Sequence, residues 1–230
     1  MVAMRFLSHL VVLLLLVGCK PEPRPEIRRL YFEVPLNVRP VAQSITLGDT
    51  LWIEADYPDS LLEIRSQQRY RIRPQDAPIE TVISFYQLTG AVERQRGFAS
   101  AFTLVNKIGS ISNLGSTAGF FETIHAGNIY RAKCGLVAMK RGIASITIYF
   151  SSNKMNSFRP GSSIPFIELG KNQEGGKIIA ELGDIYYVIN KGNTNFDLLR
   201  QHAKAYSLEP NAPEPAIYYE QKSTFNVIIQ

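Results

Sequence analysis

Leu51-Trp52-Ile53-Glu54-Ala55-Asp56-Tyr57 alternates residue by residue. Leu51, Ile53, Ala55 and Tyr57 fall on one side of an extended chain, and Trp52, Glu54 and Asp56 on the other. A period of two with an apolar side marks a β-strand that has one face in a core. The preceding Gly48-Asp49 reads as a turn out of Ser44-Ile45-Thr46-Leu47, with Gly48 free to take a positive φ. The two stretches are therefore expected to pair as a hairpin.

The same pattern extends along the chain. Arg69-Tyr70-Arg71-Ile72-Arg73 alternates, residues 79–88 and 98–105 are rich in β-branched and aromatic side chains, and residues 129–137 form a further candidate strand around Cys134. Ile143-Ala144-Ser145-Ile146-Thr147-Ile148-Tyr149-Phe150 places Ile146, Ile148 and Phe150 on one face. Residues 177–182 and 185–189 flank Gly183-Asp184, a hairpin signal, and residues 217–220 and 225–229 close the chain. Within the pairs Tyr186-Tyr187 and Tyr218-Tyr219, one ring is expected to point inward and the other outward. Many short strands without a βαβ rhythm imply an all-β fold, a mostly antiparallel β-sandwich. One short C-terminal helix is expected over residues 197–206, capped by Thr194 or Asn195, with Phe196, Leu199, Ala203 and Tyr206 on one stripe. The glycines and serines between Lys107 and Thr123 read as a long loop, as do residues 151–161.

The chain has 230 residues, 45% of them hydrophobic and 20% charged, with 25 Lys and Arg against 20 Asp and Glu. That composition excludes wholesale disorder, and the length suits one globular domain or at most two small ones. The excess of positive charge is mild and not gathered into runs, so nucleic acid is not an expected partner.

At the N-terminus Arg5 precedes an apolar run from Phe6 to Val17, broken by Ser8 and His9. It is short of the roughly 20 apolar residues of a membrane span and fits a secretory signal. The run ends in Leu16-Val17-Gly18-Cys19, which resembles the lipobox of bacterial lipoproteins. The resemblance implies cleavage of residues 1–18, acylation of Cys19, and a membrane held as partner through that lipid. Lys20 stands where that family uses Asp for inner-membrane retention, which implies a place in the outer membrane. A Lys followed by acids also resembles surface-export signals, from which the interleaved prolines depart. Lys20-Pro21-Glu22-Pro23-Arg24-Pro25-Glu26 then reads as a semi-rigid tether, so the chain divides into signal (1–18), lipidated tether (19–27) and one domain (28–230). With Cys19 acylated, Cys134 has no disulfide partner and is expected to be a buried, inert thiol.

No catalytic residue, metal ligand set or cofactor is expected. Neither HExxH, CxxC nor GxSxG occurs, and residues 170–177 depart from a P-loop at Gly176 and Ile178. His125 reads as a satisfied histidine at a strand end, and His202 as a packed helix residue. Asp49, Asp56 and Asp59 lack the compact spacing of a calcium loop and read as solvated turn acids. The more suggestive group is Trp52, Glu54 and Asp56. An exposed indole can stack on a sugar ring while carboxylates accept its hydroxyl hydrogens, which makes these three residues the candidate glycan site. Cover by a second sheet, the helix or the tether is the plainer account of Trp52. Cross-strand pairing with Glu54 and Asp56 is the plainer account of the row Arg69, Arg71 and Arg73. The chain is thus expected to be a non-catalytic envelope protein that binds a protein or structural partner. A glycan-binding module is the alternative, and an Asp/Glu-dependent hydrolase the remote one.

Overall fold

The computed structural model describes residues 23–75, 79–90, 95–113, 115–151, 165–203 and 220–230. The signal, Cys19, the expected loop after Ser151, Tyr206, the Pro-rich stretch that follows it, and Tyr218 and Tyr219 lie outside the described residues.

The described residues are mostly β. In chain order the strands are β1 (Glu26–Arg39), β2 (Ser44–Ile45), β3 (Thr50–Pro58), β4 (Ser60–Glu63), β5 (Arg69–Arg71), β6 (Thr81–Leu88), β7 (Gln95–Arg96) and β8 (Phe102–Ile108). They continue with β9 (Ser110–Asn113), β10 (Ala118–Glu122), β11 (Ile124–Ala126), β12 (Ile129–Ala138), β13 (Gly142–Phe150), β14 (Pro165–Lys171), β15 (Lys177–Ile189) and β16 (Thr224–Ile229). The helix α1 (Phe196–His202) follows β15, and residues 220–223 are helical as well, so the strand expected over residues 217–220 does not include Glu220. One sheet runs β11-β12-β3-β1-β15-β14, with β4, β5 and β8 attached at its margins; the other runs β2-β16-β13-β6-β10-β9, with β7 on β6. Pairing is antiparallel except for β1 with β15 and β2 with β16.

The core lies between the sheets. Phe32, Val34, Leu36, Leu51, Ile53, Leu136, Tyr187 and Ile189 meet Ile83, Phe85, Ile146, Ile148, Phe225 and Val227, all buried. Each such side chain contributes roughly 1.5–3 kcal/mol on burial. The inward sets in residues 51–57 and 146–150 are those the alternation assigns. Tyr187 points inward and Tyr186 is only half-buried, as the pairing of adjacent tyrosines requires.

Several local expectations give way. The Gly48-Asp49 turn forms, with Gly48 at φ 89°, but its flanks do not pair. β2 joins β16 in the second sheet while β3 joins β1 and β12 in the first, so the turn carries the chain between layers. Gly183-Asp184 is not a turn. β15 runs through it, paired to β1 along its length, and the register slips there from Leu30 opposite Leu182 to Tyr31 opposite Asp184. Gly183 is the extra residue of a bulge, and a Cβ on it would stand 3.0 Å from the Leu30 carbonyl. Residues 107–123 are not a loop; they hold β9 and β10, paired in register from Gly119/Asn113 to Glu122/Ser110. α1 ends at His202. Asn195 precedes it in the left-handed region and caps nothing with its side chain, donating instead to the carbonyls of Ala42 and Asn226. The Thr194 hydroxyl donates to the Gln221 carbonyl. Leu199 and Ala203 do form the expected apolar stripe, packed on Leu88 with Phe196 beside them.

The start of β1 is fixed to the β14–β15 turn. The Asn172 side-chain oxygen accepts from the amides of Glu174 and Gly176 and closes that turn. Pro23 and Arg24 cross directly over Gly176, where a Cβ would meet the Arg24 carbonyl at 2.6 Å. The tether therefore packs against the domain from Pro23 onward, and Glu26 and Ile27 already belong to β1.

Candidate functional site

Trp52, Glu54 and Asp56 share the outer face of the first sheet, as the alternation requires. Register builds the surroundings. Across from Trp52 lie Arg39 on β1 and Gly135 on β12, and beyond Gly135 lies Val105 on β8. Across from Glu54 lie Asn37 and Lys133, and Arg131 faces Asp56.

Gly135 decides how the indole sits. A Cβ there would stand 3.0 Å from the Trp52 ring and 2.8 Å from the Thr50 methyl, so the ring packs against the glycine where a side chain would otherwise stand. Lys107 Nζ stands 4.6 Å from the ring centroid and Lys133 Nζ 5.5 Å, both within range of cation–π attraction. Trp52 is half-buried on the outer face of the first sheet, with the Gly135 backbone and two ammonium groups beside it.

The acids of the group are engaged by cations. Lys133 Nζ is 2.7 Å from Glu54 Oε1, and Arg39 Nε is 3.9 Å from Oε2. Arg131 Nε is 3.6 Å from Asp56 Oδ1. Two of the arginines in the row are engaged elsewhere: Arg69 donates to the Ser60 carbonyl, and Arg71 lies 3.4 Å from Asp59. Cross-strand charge pairing is present, but its basic partners come from β1 and β12. Arg39, Lys107, Arg131 and Lys133 thus surround the two carboxylates and the indole.

Beside Arg39 the surface dips into a concavity of about 470 Å³, lined by Asn37, Arg39, Pro40, Asn190, Lys191 and Asn193 among others. The end of β1 is held there by Asn190, whose side chain accepts from the Val38 amide at 2.9 Å and donates to the Val38 carbonyl at 3.0 Å.

Other expected positions are structural. Cys134 is buried, its thiol directed to the Ile108 carbonyl, and burial pushes its pKa up to about 11. His125 packs on Tyr130 with ring centroids 4.7 Å apart and lies 3.4 Å from Asp59, a satisfied histidine on β11. Asp59 is not a solvated turn acid: it is 1% exposed, between Arg71 and His125. Asp49 does serve its turn, accepting from the Thr46 amide and hydroxyl, and those two bonds hold its pKa below the ordinary range. A second concavity of about 600 Å³ is lined by Glu80, Thr81, Phe120, Glu122, Thr123 and Tyr130 among others, and Glu122 accepts from the Ser110 hydroxyl at 2.5 Å. Among the described residues no group of three or more His, Cys, Asp or Glu could hold a metal ion, and no helix is long and apolar enough to cross a membrane.

Arg39, Lys107 and Lys133 reach the site without a local signal in the sequence. Lys107 falls in an expected loop, and Arg39 lies fifteen positions from its partner Glu54. Gly135 is the one visible sign, because a glycine alone within an apolar strand pattern marks a close approach.

No family profile and no curated protein matches the chain. Among solved structures, the human F-spondin reeler domain is similar at 9% identity and a TM-score of 0.34, over 92% of this chain and all of that one. The Reelin-N domain of F-spondin is similar at 10% identity and a TM-score of 0.31, over 90% of this chain and 93% of that one. Likeness at these scores says nothing about activity.

Proposed function

We propose that the chain is a non-catalytic envelope lipoprotein, anchored through Cys19, that presents the Trp52 face to an envelope partner. The lipobox-like Leu16-Val17-Gly18-Cys19 supports the anchor. The observation that carries the reading is the position of the face relative to that anchor. Only Lys20, Pro21 and Glu22 separate Cys19 from Pro23, which packs on the β14–β15 turn, a span of at most about 14 Å. β1 then runs its 14 residues to Arg39, about 40 Å of strand, before it reaches the row of Trp52. An anchor at one end and a cation–aromatic face toward the other suit a protein that holds a partner away from the lipid. Two or more acyl chains on Cys19 give stable attachment where one does not.

Mass spectrometry of the protein from its native host tests the anchor. The expected mature N-terminal peptide begins at Cys19 and carries acyl mass, and Cys19→Ser releases the protein from the membrane fraction. Residues 1–18 still attached, or an unmodified Cys19, contradict it.

A further inference from the structure

We infer that the Trp52 face takes an acidic saccharide, a sugar polymer bearing carboxylate or phosphate groups; this deepens the partner reading above and rests on it. Arg39, Lys107, Arg131 and Lys133 stand on the face against two carboxylates, and Lys191 adds a further cation in the adjoining concavity. Strands lie about 4.8 Å apart and alternate residues about 6.8 Å apart, so the charges form a grid suited to repeated anionic groups. Glu54 is already bound to Lys133 and lies 3.9 Å from Arg39, so a neutral sugar would compete with two cations for that carboxylate. An anion instead meets Arg39, whose side chain is 70% exposed, and Lys107, whose ammonium group lies over the indole. Displacement of Lys107 from the ring toward an acid group would uncover an aromatic surface for the sugar itself. A protein partner fits less well: the aromatic that would anchor it is held down between Gly135 and Lys107, with Val105 the exposed apolar neighbour in that row.

The test uses the full mature protein in detergent, with polygalacturonate, phosphorylated dextran and neutral dextran as probes. Trp52 is the only tryptophan, so its fluorescence reports on the site directly. Saturable fluorescence change with a charged polymer, but not with neutral dextran, is expected; the ratio of the two charged polymers tells carboxylate from phosphate. Arg39→Ala with Lys107→Ala should weaken binding about tenfold or more, and binding should fall as salt rises. Arg28→Ala with Lys177→Ala removes the same charge at the other end of the sheet and should leave affinity unchanged. Absence of binding, equal binding of neutral dextran, or equal loss in both double variants overturns the inference. So does a photocrosslinker at position 105 that captures a protein in intact cells, an outcome that spares the anchored-partner reading.

Discussion

Gly135 shows how one missing side chain shapes a surface. Gly135→Val would drive a side chain into the indole and the Thr50 methyl. The expected cost is about 1–3 kcal/mol of stability, with a red shift of tryptophan emission as the ring lifts into water, read by denaturant unfolding and fluorescence. Cys134 makes a second residue-level prediction. Its raised pKa and burial leave it unreactive toward a thiol reagent at neutral pH until the protein is unfolded; rapid reaction of the native protein would contradict its buried environment. Glu63 makes a third. Burial raises its pKa, but bonds accepted from the amides of Ser66, Tyr31 and Arg65, together with the Ser66 hydroxyl, outweigh burial and set the net shift downward. A lowered folded pKa means that its contribution is complete above the ordinary glutamate range and is lost as pH falls through the folded value. Glu63→Gln should cost about 1–3 kcal/mol at neutral pH and flatten the acid side of the stability profile, as followed by unfolding at several pH values.

At the scale of elements, β15 is the instructive case. Its core positions are even-numbered at Ala180 and Leu182, then odd-numbered at Ile185, Tyr187 and Ile189. A change of phase at Gly-Asp has two physical causes, a turn or a bulge, and local sequence does not separate them. The parallel partner β1 does, since its own alternation from Leu30 to Val38 never changes phase. Deletion of Gly183 should therefore retain the β1–β15 pairing and cooperative unfolding within about 1–2 kcal/mol, since Leu182 and Ile185 stay inward. Collapse of the fold on that deletion would favour a turn at this point. The strands of residues 51–57 and 143–150 are legible in the sequence because each buries one face. β9 and β10 are not, because their glycines and serines leave few side chains whose period could be read. Gly119 illustrates why such residues are there: a Cβ on it would collide with the Ser112 carbonyl on the neighbouring strand.

For the whole molecule, alternation makes the sandwich foreseeable, but not the layer each strand joins. Ser44-Ile45 and residues 50–58 are neighbours in sequence and belong to different sheets, a choice made by β16 and β12 far along the chain. The candidate face has the same origin: Trp52, Glu54 and Asp56 share a side by local geometry, whereas Arg39, Lys107 and Lys133 reach it only through sheet assembly. The proposed arrangement puts lipid at the start of β1 and a partner at the Trp52 face. Photocrosslinking in intact cells from two exposed positions tests this arrangement, with one probe replacing Val105 in the row of Trp52 and the other replacing Glu174 in the turn beside Pro23. Capture of a discrete envelope saccharide is expected from position 105, and of lipid, or nothing, from position 174. The same adduct from both positions, or a partner captured from position 174 alone, would contradict it.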